Sequence, residues 1–250
     1  MAKKELLKQF GLVGKNIEYS FSKSYFSKKF EREKKKYHRY VNYDIKNIKD
    51  FKKVLKSSPT PSGLNVTIPY KKSIIPYLDK LSKEAMEIQA VNTIVWGDSG
   101  KIIGHNTDHL GFKKALMEEI NSTPKNALIL GTGGASKAVK YVLSEMGCKI
   151  QMVSRNPKKD ELSYSELTKK IFDKTNLIVN ATPLGTFPNV KKAPPIFYEY
   201  LNSKHFLFDL IYNPEETEFL KRGKFQGSQI SNGYKMLIYQ AEKSWELWTQ

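Results

Sequence analysis

The 250-residue sequence predicts an α/β protein built from two units. Its length suffices for two modest domains or one large one, and an apolar content of 40% is typical of a packed globular chain. Strand-like and helix-like segments alternate through the first hundred residues, which indicates a mostly parallel sheet. A second alternating series begins later with a short apolar strand, a glycine turn and an amphipathic helix, and it predicts the second unit.

The first series opens with a predicted strand at 9–14 (QFGLVG) and a predicted helix in the lysine-rich stretch 22–36. The alternation continues with further predicted segments: strand 38–45, helix 48–57 and strand 63–69. In the last of these, Val66 and Ile68 alternate with Asn65 and Thr67, the period-2 pattern of a strand. Residues 97–100 (GDSG) separate two strand-like segments and predict a hairpin turn.

The second series follows a helical stretch at 108–120, and residues 121–124 (NSTP) are the best linker candidate. Residues 126–130 (NALIL) predict a buried strand, and 131–136 (GTGGAS) predict a glycine turn. The next helix has one apolar stripe: Ala135, Ala138, Val139, Val142, Leu143 and Met146. Gly147 ends it. Further strands are predicted at 149–154, 176–183 and 206–212, and an amphipathic helix at 233–248.

Several classes of protein are excluded by composition. No apolar run approaches the roughly 18 to 20 residues of a membrane span, and the first residues lack the apolar core of a signal peptide. Cys148 is the only cysteine, so an intrachain disulfide and a cysteine metal cluster are excluded. The four histidines lack metal-ligand spacing. We therefore expect a soluble, cytoplasmic protein that binds no metal and no membrane.

The net charge of +17 raises the question of nucleic-acid binding. Only four of the 42 basic residues are arginines, and the lysines are spread along the whole chain. Nucleic-acid surfaces favour arginine for its bidentate hydrogen bonds and its stacking on bases. An enzyme with anionic ligands is therefore the better interpretation. A basic nucleic-acid binder remains a less favoured alternative.

The glycine turn predicts a dinucleotide site, because it lies between a predicted strand and a predicted helix. Gly131 permits the tight turn, and Gly133 lets backbone N–H groups approach a pyrophosphate at the helix N-terminus. The third small position of the motif is Ser136 in place of glycine. A purely structural strand-to-helix turn is the alternative.

The next predicted strand indicates which dinucleotide binds. An NAD site usually has an Asp or Glu about 20 residues after the glycines, bonded to the ribose. This strand instead ends in Ser154 and Arg155, with Lys158 and Lys159 close behind. These side chains suit the ribose 2′-phosphate of NADP, although a basic loop on a basic protein is the simpler explanation for Lys158.

Lys71 follows the strand-like segment NVTIPYK at 65–71. One interpretation is an ordinary strand end with a solvated lysine. The other is a polar pocket at the carboxyl end of a sheet, with Lys71 as its reactive group. Ser22 and Asp108 are further polar residues that could line such a pocket. Each could instead simply cap the helix that follows it.

Seven motifs in series resemble the shikimate dehydrogenase family over nearly the whole chain: YSFS, NVTIPYK, AVNTI, GHNTD, GTGGASKAV, NATPLG and NGYKMLIYQA. The family reduces 3-dehydroshikimate to shikimate with NADPH, in the shikimate pathway of aromatic amino acid biosynthesis. The resemblance implies an N-terminal α/β substrate domain, a Rossmann-like NADP domain, and a C-terminal helix that packs back on the first. On this chain the implied domains are 1–108, 109–231 and 232–250.

The resemblance also implies the residues of the site. Lys71 and Asp108 would be the catalytic pair. The substrate would be bound by these residues: Ser20, Ser22, Thr67, Lys71, Asn92, Asp108, Tyr212 and Gln240. The cofactor would be bound by these: Gly131, Thr132, Gly133, Gly134, Ala135, Ser154, Arg155, Asn156, Lys159, Leu210 and Gly233. A small-molecule substrate, NADP as cofactor, and a monomer or homodimer complete the expectation.

Two regions of the chain depart from the family pattern. The family has prolines around its paired serines where this chain has Asn16 and Lys23, and its Asn-Arg-Thr at the second NADP strand is Ser154-Arg155-Asn156 here. Two functional alternatives are also kept. One is a quinate or quinate/shikimate dehydrogenase, and the other is a sensor that kept the dinucleotide fold and lost catalysis.

Overall fold

The computed structural model describes residues 6–18 and 20–250, and they form two compact units. The first unit runs to Thr107 and includes Ala241–Gln250, and the second is Asp108–Gln240. Within the described residues, each unit contains one six-stranded sheet with helices, so the predicted α/β class is confirmed. The predicted linker at 121–124 was misplaced, because these residues lie inside the second unit.

The sheet of the first unit has the strand order β2-β1-β3-β5-β6-β4. Strands β1, β2 and β3 pair in parallel, as do β4 and β6, whereas β5 runs antiparallel to both β3 and β6. The predicted hairpin is therefore confirmed as β5–β6. The elements are β1 (Lys8–Gly14), α1 (Phe21–Arg32), β2 (His38–Asp44), α2 (Phe51–Leu55), β3 (Gly63–Val66), β4 (Lys80–Leu81), α3 (Lys83–Ile88), β5 (Thr93–Trp96) and β6 (Ile102–His105).

Strand β3 differs from its prediction in length and in pattern. It ends at Val66, before Thr67 and Pro69, and all four of its residues are buried, including Asn65. The expected alternation between a buried and an exposed face is therefore wrong. The reason is that both faces of β3 are covered: Leu64 and Val66 pack into an apolar cluster on one side, and Asn65 hydrogen-bonds Ser244 of the C-terminal helix on the other.

Helix α1 is shorter than predicted and is capped by a different residue. It ends at Arg32, because Glu33 is its C-cap and Lys34 adopts a left-handed conformation with φ 54°. At its start, the side chain of Ser20 accepts a hydrogen bond from the backbone N–H of Ser22 at 3.2 Å. Ser20, not Ser22, is therefore the N-cap.

The sheet of the second unit is parallel at each of its described pairings and has the order β12-β11-β10-β7-β8-β9. Its first strand, β7, lies between β8 and β10, so the strand order reverses there, as in doubly wound nucleotide-binding folds. The elements are α4 (Asp108–Met117), β7 (Asn126–Leu130), α5 (Gly134–Glu145), β8 (Lys149–Val153), β9 (Glu161–Leu162), α6 (Lys169–Lys174), β10 (Leu177–Asn180), β11 (Phe206–Asp209), α7 (Glu218–Phe225), β12 (Gln229–Ser231) and α8 (Tyr234–Thr249).

Apolar clusters on the two faces of this sheet account for its near-continuous apolar strands. Ile129 and Val179 belong to one cluster, and Leu128 and Ile178 belong to the other. The predicted stripe on α5 packs into the first cluster, with Val139, Val142 and Leu143 almost fully buried. Parallel strands that are covered on both faces need apolar side chains in both directions.

The carboxyl-terminal part of α8, from Ala241, belongs to the first unit, and its residues up to Gln240 belong to the second, so the implied segment 232–250 is divided between the two units. Trp248 donates from Nε1 to the carbonyl oxygen of Ile94 at 3.0 Å, and its ring lies 5.1 Å from that of Phe10. Glu242 forms a 2.7 Å ion pair with the buried Lys29 of α1. Aromatic packing and this ion pair hold the last helical turns against β1 and α1.

Candidate active site

The loop after β1 carries Ser20 towards the carboxyl edge of the first sheet, and a carboxylate holds this loop. Asp44, at the end of β2, accepts hydrogen bonds from the backbone N–H groups of Asn16 and Ile17, each at 3.0 Å. Asn16 is left-handed with φ 57°, a conformation that asparagine tolerates better than most residues. Asp44 thus fixes the loop in which the family has a proline. Tyr19, within the YSFS motif, lies outside the described residues.

Ser22 is connected to the interior of the first unit through Tyr40. The Tyr40 hydroxyl donates to Oδ1 of Asn65 at 2.8 Å, and Ser22 also hydrogen-bonds this hydroxyl. Burial raises the pKa of Tyr40 well above its ordinary value, so Tyr40 is a neutral donor at physiological pH.

A buried network of polar side chains continues inward from Asn65. Its Nδ2 donates to the carbonyl oxygen of Asn92 at 3.2 Å and to Oγ of Ser244 at 3.0 Å. Ser244 lies on α8 and is also 2.7 Å from the hydroxyl of Thr93. The period-2 pattern grouped Asn65 with Thr67 on one polar side of the segment, but Asn65 is buried and its side chain is satisfied inside the unit.

Asn92 is held by the same network. Its Nδ2 donates to Oγ1 of Thr107 at 2.9 Å, and its Oδ1 accepts the backbone N–H of Thr107 at 2.6 Å. The hydroxyl of Thr107 is 3.2 Å from that of Ser244. Predicted substrate residues Ser22 and Asn92 are therefore joined through buried side chains, with Ser244 of the C-terminal helix at the centre.

Thr67 and Lys71 belong to the turn that follows β3. The backbone N–H of Thr67 donates to Val13 at 2.9 Å, and the carbonyl oxygen of Lys71 accepts from Val91 at 2.7 Å. Both side chains are half-buried. Because β5 is antiparallel to β3, Asn92, just before β5, lies at the same edge of the sheet. Ser20, Ser22, Thr67, Lys71 and Asn92 thus share the carboxyl edge of β1 and β3.

In the second unit, Asp108 is the first residue of α4 and is buried, with 4% of its surface exposed. Gln240 is also buried, and its Nε2 donates to the carbonyl oxygen of Leu237 at 2.9 Å. Helices α4 and α8 approach closely at Gly111, where a Cβ would lie 2.6 Å from the carbonyl oxygen of Met236 and 3.0 Å from Cβ of Gln240. Only glycine allows this approach, one turn from Asp108.

The glycine turn after β7 passes close to a neighbouring backbone and leaves open space at the N-terminus of α5. Gly131 has φ 100°, and a Cβ there would lie 3.1 Å from the carbonyl oxygen of Ala181, so a side chain would be strained. A Cβ at Gly133 would meet no atom within 4 Å, so the space above the helix N-terminus is open. Ser136 is fully buried, and its hydroxyl donates to the carbonyl oxygen of Gly133 at 2.7 Å, which explains serine at the third small position.

The loop after β8 presents donors and no carboxylate at the strand end. Ser154 follows the strand directly, and its hydroxyl accepts the backbone N–H of Asn156 at 3.2 Å. Arg155 and Lys159 are exposed. The neighbouring carboxylate of Glu161 accepts the backbone N–H of Lys158 at 3.0 Å. This donor set fits a 2′-phosphate better than a bare ribose.

Two polar residues, Asn180 and Asp209, end the adjacent strands β10 and β11 and are fully buried. Burial raises the pKa of Asp209 to about 6, against hydrogen bonds from Thr217, the Ile211 N–H and Asn180, which favour the ionised form. Leu210 follows Asp209 directly and Tyr212 lies two residues further on. Gly233 donates its N–H to the carbonyl oxygen of Ile211 at 3.0 Å.

The described part of the chain contains neither a candidate metal site nor a candidate membrane-spanning helix. No group of three or more His, Cys, Asp or Glu side chains is arranged to hold a metal ion. No helix among the residues described is long and apolar enough to cross a membrane. Cys148 is buried, and burial raises the pKa of its thiol.

Comparison with known proteins identifies the family. Residues 12–94 match the family model described as Shikimate dehydrogenase substrate binding domain. The shikimate dehydrogenase (NADP(+)) of Desulforamulus reducens is 37% identical over 96% of this chain and 89% of its own length. The chain belongs to the shikimate dehydrogenase family.

Solved structures of family members share the fold. A shikimate dehydrogenase in complex with NADP+ is 37% identical, with a TM-score of 0.86 over 97% of this chain and 90% of that one. The Thermus thermophilus enzyme, in complex with NADP(H) and shikimate, is 28% identical, with a TM-score of 0.84 over 97% and 93% of the two chains. The N-terminal substrate domain and the Rossmann-like NADP domain are the two α/β units described above.

The residues that the shikimate dehydrogenase motifs predict fall into one group in each unit. Ser20, Ser22, Thr67, Lys71 and Asn92 are in the first unit. The second unit holds the others: Asp108, Gly131, Thr132, Gly133, Gly134, Ala135, Ser154, Arg155, Asn156, Lys159, Leu210, Tyr212, Gly233 and Gln240. Apart from Asp108 and Gln240, these follow strands β7, β8, β11 and β12, at the carboxyl edge where ligands of such sheets bind.

The sequence reasoning missed Asp44, Asn180, Asp209, Thr217 and Ser244. A signal existed for two of them, because LIVN and FLFD are apolar strands that end in a polar residue at the ligand-binding edge. Ser244 had no such signal, because its importance depends on where the last helix packs.

Proposed function

We propose that this chain catalyses the reversible, NADPH-dependent reduction of 3-dehydroshikimate to shikimate, in the biosynthesis of aromatic amino acids. The observation that carries the proposal is similarity over 96% of the chain to proteins named shikimate dehydrogenase (NADP(+)), with the Lys71 and Asp108 motifs intact. In this proposal the protein is a cytoplasmic monomer or homodimer that acts on a small anionic substrate.

The residues of the second unit fit NADP. The open space at Gly133 and the N-terminus of the 12-residue helix α5 suit a pyrophosphate, and Thr132, Gly134 and Ala135 complete that turn. Ser154, Arg155, Asn156 and Lys159 would hold the 2′-phosphate, with Leu210 and Gly233 at the other end. When bound, NADPH supplies the hydride for the reduction.

Lys71 and Asp108 supply the proton chemistry in this proposal. Reduction of a ketone leaves negative charge on its oxygen, which a nearby acid must protonate. The Lys71 ammonium donates that proton, and in the reverse direction the lysine amine takes it back. Asp108 orients the ammonium and stabilises its charge. The half-buried position of Lys71, in a turn fixed at both ends by backbone bonds, supports a defined place for the ammonium.

The remaining residues bind the substrate. A small polyhydroxylated acid requires hydroxyl and amide partners rather than an apolar wall. Ser20, Ser22, Thr67, Asn92, Tyr212 and Gln240 provide that chemistry. The network through Tyr40, Asn65 and Ser244 supports this role for Ser22 and Asn92, because it fixes their positions before the substrate arrives.

A steady-state assay with shikimate and with quinate, each with NADP+ and with NAD+, tests the proposal. Each reaction is followed by the absorbance of the reduced cofactor. We expect the highest kcat/KM for shikimate with NADP+. Higher kcat/KM with quinate would make the chain a quinate dehydrogenase. Binding of NADPH without turnover of either acid would make it a dinucleotide sensor.

A further inference from the structure

Asn180 and Asp209 end two neighbouring strands of the second sheet and face each other in register. Both side chains are polar and fully buried, at the ends of strands LIVN and FLFD whose other residues are apolar. A buried carboxylate is costly unless donors satisfy it. Neither side chain belongs to the predicted catalytic, substrate or cofactor groups.

Asp209 is satisfied by three donors from different segments. Its Oδ1 accepts from Nδ2 of Asn180 and from the backbone N–H of Ile211, both at 3.0 Å. Its Oδ2 accepts from the hydroxyl of Thr217 at 2.6 Å. The bonds from Ile211 and Thr217 fasten the two ends of the loop at 210–217, so this loop is closed around one carboxylate.

Asn180 holds a second loop in the same way. Its Oδ1 accepts the backbone N–H of Thr182 at 3.0 Å and the hydroxyl of Thr182 at 2.7 Å. That hydroxyl in turn accepts the backbone N–H of Leu184 at 3.2 Å. The loop at 181–185 packs on the glycine turn, since a Cβ at Gly131 would lie 3.1 Å from Cγ2 of Thr182.

The strand order shows which end of the cofactor these loops serve. The loop proposed for the 2′-phosphate follows β8, which lies on one side of β7, and β10 and β11 lie on the other side. A dinucleotide whose pyrophosphate lies at the β7 turn and whose adenine end lies beyond β8 therefore places its nicotinamide end over β10 and β11.

We propose that Asp209 is a positioning residue that, through Asn180 and Thr217, holds the loops at 181–185 and 210–217 in place for the nicotinamide end of the cofactor. The inference rests on the proposed function, because it assumes hydride transfer at this end. Small displacements of groups that orient a reactant reduce the rate far more than they reduce binding.

The test compares two buried threonines of the second unit. Thr217→Val removes the donor to Asp209. Thr175→Val is the matched control, because the Thr175 hydroxyl is also buried and bonded, to the carbonyl oxygen of Ile171 at 2.8 Å, but Thr175 precedes β10 at the opposite edge of the sheet. Thr217→Ser is the conservative variant that keeps the hydroxyl.

Two quantities are measured for each variant: kcat with shikimate and NADP+, and the Kd of 2′-phospho-ADP-ribose, which lacks the nicotinamide. We expect Thr217→Val to lower kcat about 10-fold or more and to change the Kd by less than about threefold, with Thr217→Ser close to wild type. Thr175→Val should change neither. Unchanged kcat in Thr217→Val, or equal losses in Thr217→Val and Thr175→Val, would overturn the inference.

The fluorescence of bound NADPH separates this inference from the proposed function. If the wild type binds NADPH but oxidises neither shikimate nor quinate, the proposed function fails, and the emission of the bound dihydronicotinamide still reports its surroundings. A changed emission in Thr217→Val alone supports the inference, and an unchanged emission overturns it.

Circular dichroism shows whether Thr217→Val folds. If it does not fold, Thr182→Val takes its place, because the half-buried Thr182 hydroxyl donates to Asn180. A changed emission in Thr182→Val then supports the inference, and an unchanged emission overturns it.

Discussion

At the scale of single residues, position rather than type distinguishes the candidates. Lys71 is one of 38 lysines, and the neighbouring Lys72 is exposed whereas Lys71 is half-buried. Arg155 is one of four arginines and follows the strand that would carry an acid in an NAD enzyme. Asp209 is a carboxylate that burial makes harder to ionise.

Lys71→Ala should abolish most turnover while barely weakening shikimate binding. Removal of a positioned general acid or base costs about 10²- to 10⁴-fold in rate, and one polar contact contributes much less to affinity. Steady-state kcat and shikimate binding by calorimetry provide the measurement, with Lys72→Ala as the matched control. Retention of more than about a tenth of wild-type kcat would show that Lys71 is not the proton donor.

Arg155→Ala should lower affinity for NADP+ about 10- to 100-fold, because a charge-assisted bond to a phosphate contributes roughly 1.5 to 3 kcal/mol. NAD+ serves as the control ligand, since it lacks the 2′-phosphate and should be affected much less. KM for both cofactors is measured with wild type and variant. Equal losses with both would assign Arg155 to the structure of the loop.

The raised pKa of Asp209 makes a signed prediction for stability. Its pKa of about 6 in the folded chain exceeds the ordinary value of 3.8, so the folded state binds more protons between those values. The contribution of Asp209 to the free energy of unfolding is therefore greatest below pH 3.8 and falls as pH rises to 6. Two pKa units correspond to roughly 3 kcal/mol.

Urea unfolding of wild type and Asp209→Asn between about pH 4.5 and 7.5 measures this contribution. Relative to the variant, the wild type should lose free energy of unfolding as pH rises through this range. Other titrating groups are common to both proteins and cancel in the difference. A difference that is independent of pH would contradict a raised pKa.

At the scale of elements, helix α8 determines the interior of the first unit. It places Ser244 where Asn65, Thr93 and Thr107 all approach its hydroxyl, and it packs Trp245 and Trp248 on Phe10. Such a network stabilises one arrangement only if each member is satisfied. The helix therefore fixes the backbone and side chain of Asn92 from a distance of some 150 residues along the chain.

Ser244→Ala should raise the KM for shikimate several-fold and leave the KM for NADP+ close to wild type. Loss of this hydroxyl leaves buried donors unsatisfied, at a cost of about 1 to 3 kcal/mol, and loosens Asn92. Urea unfolding and steady-state kinetics test both parts. Thr249→Ala, at the exposed end of the same helix, is the control, and equal changes in both KM values would indicate general loosening instead.

At the scale of the whole molecule, the charge of +17 acts on every ligand. NADP+ carries about three negative charges and shikimate about one, so a positive field should attract NADP+ more strongly. The few arginines and the absence of an arginine cluster in the sequence favour this explanation of the lysines over nucleic-acid binding.

The KM for NADP+ should therefore rise more steeply with salt than the KM for shikimate. Between about 10 and 200 mM salt the Debye length falls from about 30 Å to below 10 Å, which screens most of a field from exposed lysines. We expect a several-fold rise in the KM for NADP+ and little change in kcat. Parallel salt dependence of both KM values would exclude steering by net charge.

Local patterns in the sequence predicted much of the fold and of the candidate site. Apolar periodicity located α5 and the strands of the second unit, because one face of a helix and both faces of a covered strand need apolar residues. Glycine positions located the turn between β7 and α5, because only glycine fits a left-handed turn against a neighbouring backbone. The motif series identified the family and, from it, the residues that we propose for the site.

The tertiary structure alone decided which polar residues support that site. Asn65 alternates with apolar residues in its strand pattern, yet it is buried, because folding brings Tyr40 and Ser244 of the C-terminal helix against it. Asp44, Ser244 and Asp209 act through partners distant in sequence or through loops that close on themselves. Hydrogen bonds between segments leave no periodic trace along the chain, because each requires only one donor and one acceptor brought together by folding.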